Sequence, residues 1–383
     1  MIKEGYKETE IGVIPKDWEV QIFKNISELK RGTSFTKKDL VEGDIPVIAG
    51  GKEPAYYHND YNRDGDTITL SGSGANAGYV NFFTSKIFMS DGFTVKGKKN
   101  ISLTKYLFYF LKNKQEQIYY LQSGGAQPHI YTKNIAPIPI SLPPLKEQEK
   151  IANILSTADE KIDAIDLQIQ KAETLKKGLL QKLLSEGIGH TEFKDSELGQ
   201  IPENWEITTI GKSSKNFDAK RVPLKSEDRQ EIQGYYPYYG AQGIIDYIND
   251  YIFDGEYLLV AEDGQNVIIQ KYDIAFVVSG KFWVNNHAHI LQANDNMNLH
   301  FISSILNHIN ITKYVTGSEL KKLNKAQLNS IKIPLPPIKE QKQIADILST
   351  ADEKLEVLRA KKDKYEELKK GLLQKLLSGE VRV

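Results

Sequence analysis

Apolar residues recur at Ile151, Leu155, Ala158, Ile162, Ile165, Ile169 and Ala172. The steps alternate between four and three, which is the seam of a coiled-coil helix. The pattern returns at Ile344, Leu348, Ala351, Leu355 and Leu358, then puts Lys362 where the first run has Ile169. A polar residue in a seam can fix the register of pairing. Pro143-Pro144 and Pro336-Pro337 close the extended run before each pattern, because proline and the residue before it disfavour helix. The spacing predicts one long helix over 141–186 and another over 334–380. About 40 helical residues make a rod of roughly 60 Å. That is too long for one small domain to cover, so the two helices are expected to pair with each other rather than lie singly on a domain.

Elsewhere the hydrophobic pattern is short and punctuated by turns. Strands are predicted at Ile45–Ala49, Thr67–Leu70, Tyr79–Phe83, Ile87–Met89 and Phe93–Lys96, with a helix near Leu103–Leu121. Downstream, strands are predicted at Tyr257–Ala261, Val267–Gln270, Ile274–Val278 and His287–Gln292, with a helix near Leu299–Tyr314. Strands without regular βαβ alternation indicate an α+β class. The bodies span 1–140 and 197–333, and the polar, glycine-containing 187–196 is a linker between the halves.

The long-helix segments are copies of one another. Leu142–Ser185 and Leu335–Ser378 align without gaps, with 29 of 44 positions identical. A second marker agrees: Glu10–Val20 and Glu197–Ile207 share Gly12/Gly199, Pro15/Pro202 and Trp18/Trp205 among six identities in eleven positions. The chain is therefore a tandem duplication of a lead-in segment, a globular body and a long helix. The bodies have drifted while the helices and lead-ins have not, as suits two recognition heads of different specificity on a shared frame.

Composition narrows the function. The 383 residues carry 50 Lys+Arg against 50 Asp+Glu, for a formal net charge of +0. Binding to nucleic acid would have to rest on local basic faces, since overall charge gives no attraction. There is no cysteine, so disulfides and Cys-based zinc or redox sites are excluded and a cytoplasmic location is favoured. The chain starts without an apolar signal core and shows no run long enough for a membrane span.

Candidate contact residues fall in loops and basic clusters. Ser71-Gly-Ser73-Gly-Ala-Asn76-Ala-Gly78 is glycine-rich but has the wrong spacing for a dinucleotide fingerprint and leads into a strand, not a helix. It reads as a polar hairpin loop, matched in the second body by Glu262-Asp-Gly-Gln265-Asn266. After each body's helix come Gln122-Ser123-Gly-Gly-Ala-Gln127 and Val315-Thr316-Gly-Ser318-Glu-Leu-Lys321. Amide, hydroxyl and ammonium groups of this kind suit bases and phosphates, although each stretch also fits a plain solvated loop. Lys30-Arg31 and Lys220-Arg221 form small basic clusters, and Lys281 adds a cation in the second body; such clusters are commonly just surface. His287-x-His289 would share a strand face but has no third ligand at convincing spacing, so no metal site is assigned. No P-loop, GxSxG, HExxH or [N/D]PP[Y/F] element occurs, so no catalytic residue and no cofactor is assigned.

The chain resembles the specificity (S) subunits of type I restriction–modification systems. The resemblance is carried by ISLPPLKEQEKIANIL and IPLPPIKEQKQIADIL, by the GLLQKLLS helix ends, by IGVIPKDWEV and LGQIPENWEI, and by GGAQPHIYTKNIAPIPISLPP. It implies a non-catalytic subunit whose two target recognition domains each read one half of an asymmetric, bipartite site on double-stranded DNA. It further implies antiparallel helices that set the spacer, with pseudo-two-fold symmetry, and partners comprising two methylation (M) subunits and, in the full complex, restriction (R) subunits. The opposing reading is a coiled-coil adaptor whose heads bind proteins rather than DNA.

Overall fold

The computed structural model describes residues 2–317 and 321–383. It divides into two compact units, Met1–Asp166 with Ala360–Val383, and Leu167–Arg359. The division falls inside the long helices, Leu145–Ser185 and Ile338–Leu377. Each unit therefore holds one head, the start of that head's own helix and the end of the other helix. Among the described residues, no helix is long and apolar enough to cross a membrane.

In the first unit, a lead-in hairpin pairs Tyr6–Thr9 with Gly12–Pro15. Glu19–Ile22 pairs antiparallel with Pro139–Leu142, the strand that enters the long helix. The head carries an antiparallel sheet in the order Ser27–Arg31, Gly92–Gly97, Thr67–Ser71, Val80–Phe83. Beside it, Ile45–Ile48 pairs antiparallel with Tyr56–His58 and parallel with Phe88–Met89. The predicted helix over Leu103–Leu121 is two, Thr104–Asn113 and Gln115–Tyr120, broken at Lys114. Trp18, Phe23, Leu70, Tyr106, Ile151, Leu155 and Leu376 share one core, so the head, the start of one long helix and the end of the other bury a common apolar surface.

The second unit repeats this plan. Phe193–Ser196 pairs with Gly199–Pro202, and Glu206–Thr209 with Lys332–Leu335. Here the head strands form one six-stranded sheet, in the order Ser214–Asn216, Ala288–Ala293, Phe253–Ala261, Ala275–Val284, Gln233–Gly240, Gly243–Ile248. Trp205, Leu258, Phe301, Ile305, Ile344, Leu348 and Leu184 fill its core.

Besides the split helix, several features differ from the sequence reading: the helix begun at Leu299 ends at His308, and the stretch 187–196, expected as a linker, closes on the strand Phe193–Ser196. Val267–Gln270 is not a strand: Asn266–Ile269 is a single helical turn closed by a left-handed Gln270. The Asn266 amide accepts from the Tyr272 N–H and donates to the Tyr272 carbonyl, both at 3.0 Å, which folds the segment back. The hairpin Gln233–Ile248 was not foreseen. Pro237 sits inside it, and proline argues against an interior strand because it has no N–H to donate.

The long helices run antiparallel within each unit. In the first, Lys369 pairs with Asp159, and seven residues back along its helix Lys362 pairs at 2.7 Å with Asp166, seven residues on. In the second, Lys176 pairs with Asp352 and Arg359 with Glu173 at 2.8 Å. Asp352 and Lys176 occupy the repeat positions of Asp159 and Lys369, so one ion pair is built twice. The Lys362 pair is not repeated, because Ile169 holds the equivalent place. Lys362 is half-buried, and the hydrogen bond it donates to Asp166 holds its ammonium pKa above the ordinary lysine value.

Candidate nucleic-acid interface

The Glu-Gln pair that opens each long helix fastens the head to it. The Trp18 indole donates to Glu147 at 3.0 Å, and that of Trp205 to Glu340 at 3.1 Å. Gln148 accepts from the Leu103 N–H and donates to the Ile101 and Pro143 carbonyls. Gln341 does the same with the Asn298 N–H and the Asn296 and Pro336 carbonyls. All four side chains are buried, and a buried carboxylate needs donors. Arg382 supplies them to Glu147 while also gripping Asp17; His190 and the Ile188 N–H supply them to Glu340. The hydrogen bonds that Arg382 donates to Glu147 and Asp17 push its guanidinium pKa above the usual value.

This frame presents a pair of loops in each unit. In the first, Ser73 and Ser123 both bridge to His129. The backbone bonds are Gly74 N–H to the Pro128 carbonyl at 3.0 Å, Ile130 N–H to Gly72 at 3.0 Å, and a reciprocal Ser123–His129 pair at 2.8 and 2.9 Å. The His129 and Tyr131 rings stack at 6.1 Å. In the second, Asp263 and Thr316 both bridge to Lys322, and the Leu323 N–H donates to the Glu262 carbonyl at 2.8 Å. The loops predicted separately thus meet in both units, by the same topology and with different residues.

Within these pairs the side chains divide by direction. Ser123 and Gln127 are exposed, Asn76 is half-exposed, and Thr316, Gln265 and Lys321 are exposed. Several candidates turn inward. Ser71 is buried and donates to the Gly51 carbonyl at 3.1 Å; Ser73 donates to Asp91; Gln122 donates to the Ala77 carbonyl at 2.7 Å. Asn266 is buried and closes its own turn. Arg221 bonds Glu262 at 2.6 Å and the Ala288 carbonyl at 3.0 Å. Ser318 lies outside the described residues.

The basic clusters divide as well. Arg31 pairs with Phe93, which on its other side pairs with Leu70, next to the Ser71–Gly78 loop. Lys30 and Arg31 are exposed at that end of the sheet, with the buried Arg63 guanidinium donating to their carbonyls. Lys220 is exposed beside the Phe217 ring. Lys281 pairs with Asp254, whereas Ala275 pairs with Val260 near the loop. Six residues of strand set Lys281 roughly 20 Å from the loop pair, where its ammonium lies 4.6 Å from the Tyr251 ring centre.

Sequence reasoning missed the acidic partners. Asp263 binds the His287 ring at 2.8 Å and Lys322 at 3.2 Å. His289 is buried, bonded to Asp218 and to the Leu323 carbonyl, each at 2.6 Å. The two histidines therefore serve different carboxylates. Burial pushes the Asp218 carboxyl up, but the hydrogen bond and charge of His289 outweigh it and hold the group below the ordinary carboxylate value. No residue in the sequence announces these links; only the pairing of the two loops brings them together.

Two diverged heads, each fastened to a repeated helical frame and each exposing a paired polar loop, define a two-headed recognition protein of duplicated design. The chain belongs to the type I restriction–modification specificity family: the model described as "Type I restriction modification DNA specificity domain" matches residues 15–174 and 202–367. A provisionally named type I restriction enzyme MjaX specificity subunit of Methanocaldococcus jannaschii is 30% identical, over 100% of this chain and 97% of that protein. The type I restriction enzyme MjaVIII specificity subunit of the same organism is 28% identical over the same shares. The crystal structure of a type I restriction–modification S subunit from M. genitalium shares the fold at a TM-score of 0.72 and 20% identity, covering 94% of this chain and 96% of that one.

Proposed function

We propose that this chain is the DNA-recognition subunit of a type I restriction–modification complex and has no catalytic function of its own. Each head reads one half of a bipartite, asymmetric site. The paired helices set the number of unspecified base pairs between the halves and carry two methylation subunits, with restriction subunits joining in the full complex. The observation that carries this reading is the repeated loop pair. The same backbone bridges join the loops in both units, yet the exposed residues differ, as two half-sites of different sequence require. Formal neutrality favours a second reading, an adaptor whose heads bind proteins, but local cations such as Lys30, Arg31 and Lys321 supply phosphate contacts without a basic whole.

Gel-shift selection from random duplex DNA, with methylation subunits present, tests it. The expected result is enrichment of two short blocks at a fixed gap. Recovery of no motif overturns the proposal in favour of the adaptor.

A further inference from the structure

Each candidate surface has a third loop, which the pairing above leaves unassigned. In the first head it is the tip of the hairpin Ile45–Ile48 and Tyr56–His58; in the second it is the tip of Gln233–Gly240 and Gly243–Ile248. The hairpins are equivalent. Val47 and Ile48 run parallel to Phe88 and Met89, as Tyr238 and Tyr239 run parallel to Trp283 and Val284. The next backbone bond is repeated too, Ser90 N–H to the Ile48 carbonyl at 2.8 Å and Asn285 N–H to that of Tyr239 at 3.0 Å. Pro46 faces Tyr57 across one hairpin, and Pro237 faces Tyr247 across the other.

The first tip lies against its loop pair, and the second is linked to its loop pair through Asn285 and His287. A Cβ at Gly50 would come within 2.7 Å of the Ser73 carbonyl oxygen, so this close approach needs glycine. The Ser71 hydroxyl donates to the Gly51 carbonyl, and the Lys52 ammonium lies 5.4 Å from the Tyr79 ring centre. In the second head Asn285, bonded to Tyr239 at the tip, also accepts from the N–H of His287, which binds Asp263 of the loop pair. The hairpin frame is kept while its tip changes, from Gly-Gly-Lys-Glu-Pro at 50–54 to Gly-Ala-Gln-Gly at 240–243. Each tip projects one long donor side chain, Lys52 and Gln242, and both are exposed.

We propose that Lys52 and Gln242 are specificity-determining residues, each reading a base edge in its own half-site; this rests on the DNA-reading function above. Lysine donates to the O6 and N7 acceptors of guanine, and the glutamine amide matches the N6 donor and N7 acceptor of adenine. The first head therefore demands a guanine, and the second an adenine, at the base its tip reaches.

The test repeats the selection with the full chain and methylation subunits, using Lys52→Ala and Gln242→Ala. Melting curves matching the wild type show that each variant is folded, as expected for exposed tip residues. Gln242→Ala should lose preference for one adenine by about 5- to 150-fold while the other half-site stays sharp, and Lys52→Ala should do the same for one guanine in the opposite half. A wild-type motif that both variants retain overturns the inference and leaves the DNA-reading function standing. Uniform weakening across all sequences, with a shallower salt dependence, also overturns it, because that marks phosphate contact. A wild type that selects no motif removes both.

Discussion

Gln148 and Gln341 each satisfy three backbone groups from within the protein, where water is excluded. A buried donor or acceptor left without a partner costs about 1–3 kcal/mol. Replacing Gln341 with alanine strands the Asn298 N–H and the Asn296 and Pro336 carbonyls together and leaves a small cavity. The expected loss is about 2–4 kcal/mol, allowing for partial relaxation. Gln148→Ala should destabilise by a similar amount, because its three partners occupy the same positions in the first unit. Urea denaturation measures both, with Gln170→Ala as the exposed control, expected to stay within about 0.5 kcal/mol. If the two buried variants also behave like the control, the glutamines are not the fasteners described.

At the scale of elements, legibility in the sequence followed periodicity and length. The long helices were readable because a seam repeated over many turns fits only one period. The loop at Ser71–Gly78 was readable as a loop, but its inward-turned Ser71 was not, because an identical serine fits a solvated turn equally well. Val267–Gln270 was misread because a short apolar run suits a strand or a helical turn alike; here Val267 is buried while Ile268 and Ile269 are exposed. The fastening roles of Glu147 and Gln148 were missed because charged and amide residues at a helix start usually face water; their identity in both copies was the available signal. Gly178 and Gly371 make the opposite case. They stand about two turns before the C-terminal ends of the long helices, at matching repeat positions, and a Cβ there would meet nothing within 4 Å. Nothing among the described residues explains them. Glycine inside a helix is less stable than alanine by about 1 kcal/mol. Gly178→Ala and Gly371→Ala should therefore each raise stability by roughly that amount, seen as an upward shift in thermal unfolding. A fall instead would mean that these positions leave helical geometry in solution.

For the whole molecule, the proposed function makes the paired helices a ruler, and that role can be separated from recognition. Inserting seven residues keeps the spacing of the seam, because the seam repeats with that period. It must be done in both helices at equivalent points, after Ile162 and after Leu355, so that neither strand of the pair is left unmatched. Seven residues lengthen a helix by about 10 Å, and a base pair rises about 3.4 Å. The double insertion should therefore widen the unspecified gap in the selected motif by about three base pairs. Both half-site sequences should stay as they were, since the loop pairs and hairpin tips are untouched. Shifting one face of DNA by three base pairs also turns it by roughly a third of the 10–10.5 base-pair helical turn, so some loss of affinity accompanies the wider gap. Methylome sequencing of a host carrying the variant and its methylation subunits reads the motif directly. A widened gap with intact half-sites assigns spacing to the helices and base choice to the heads, whereas an unchanged gap would show that the heads find their spacing by another route and that the rods only hold partners.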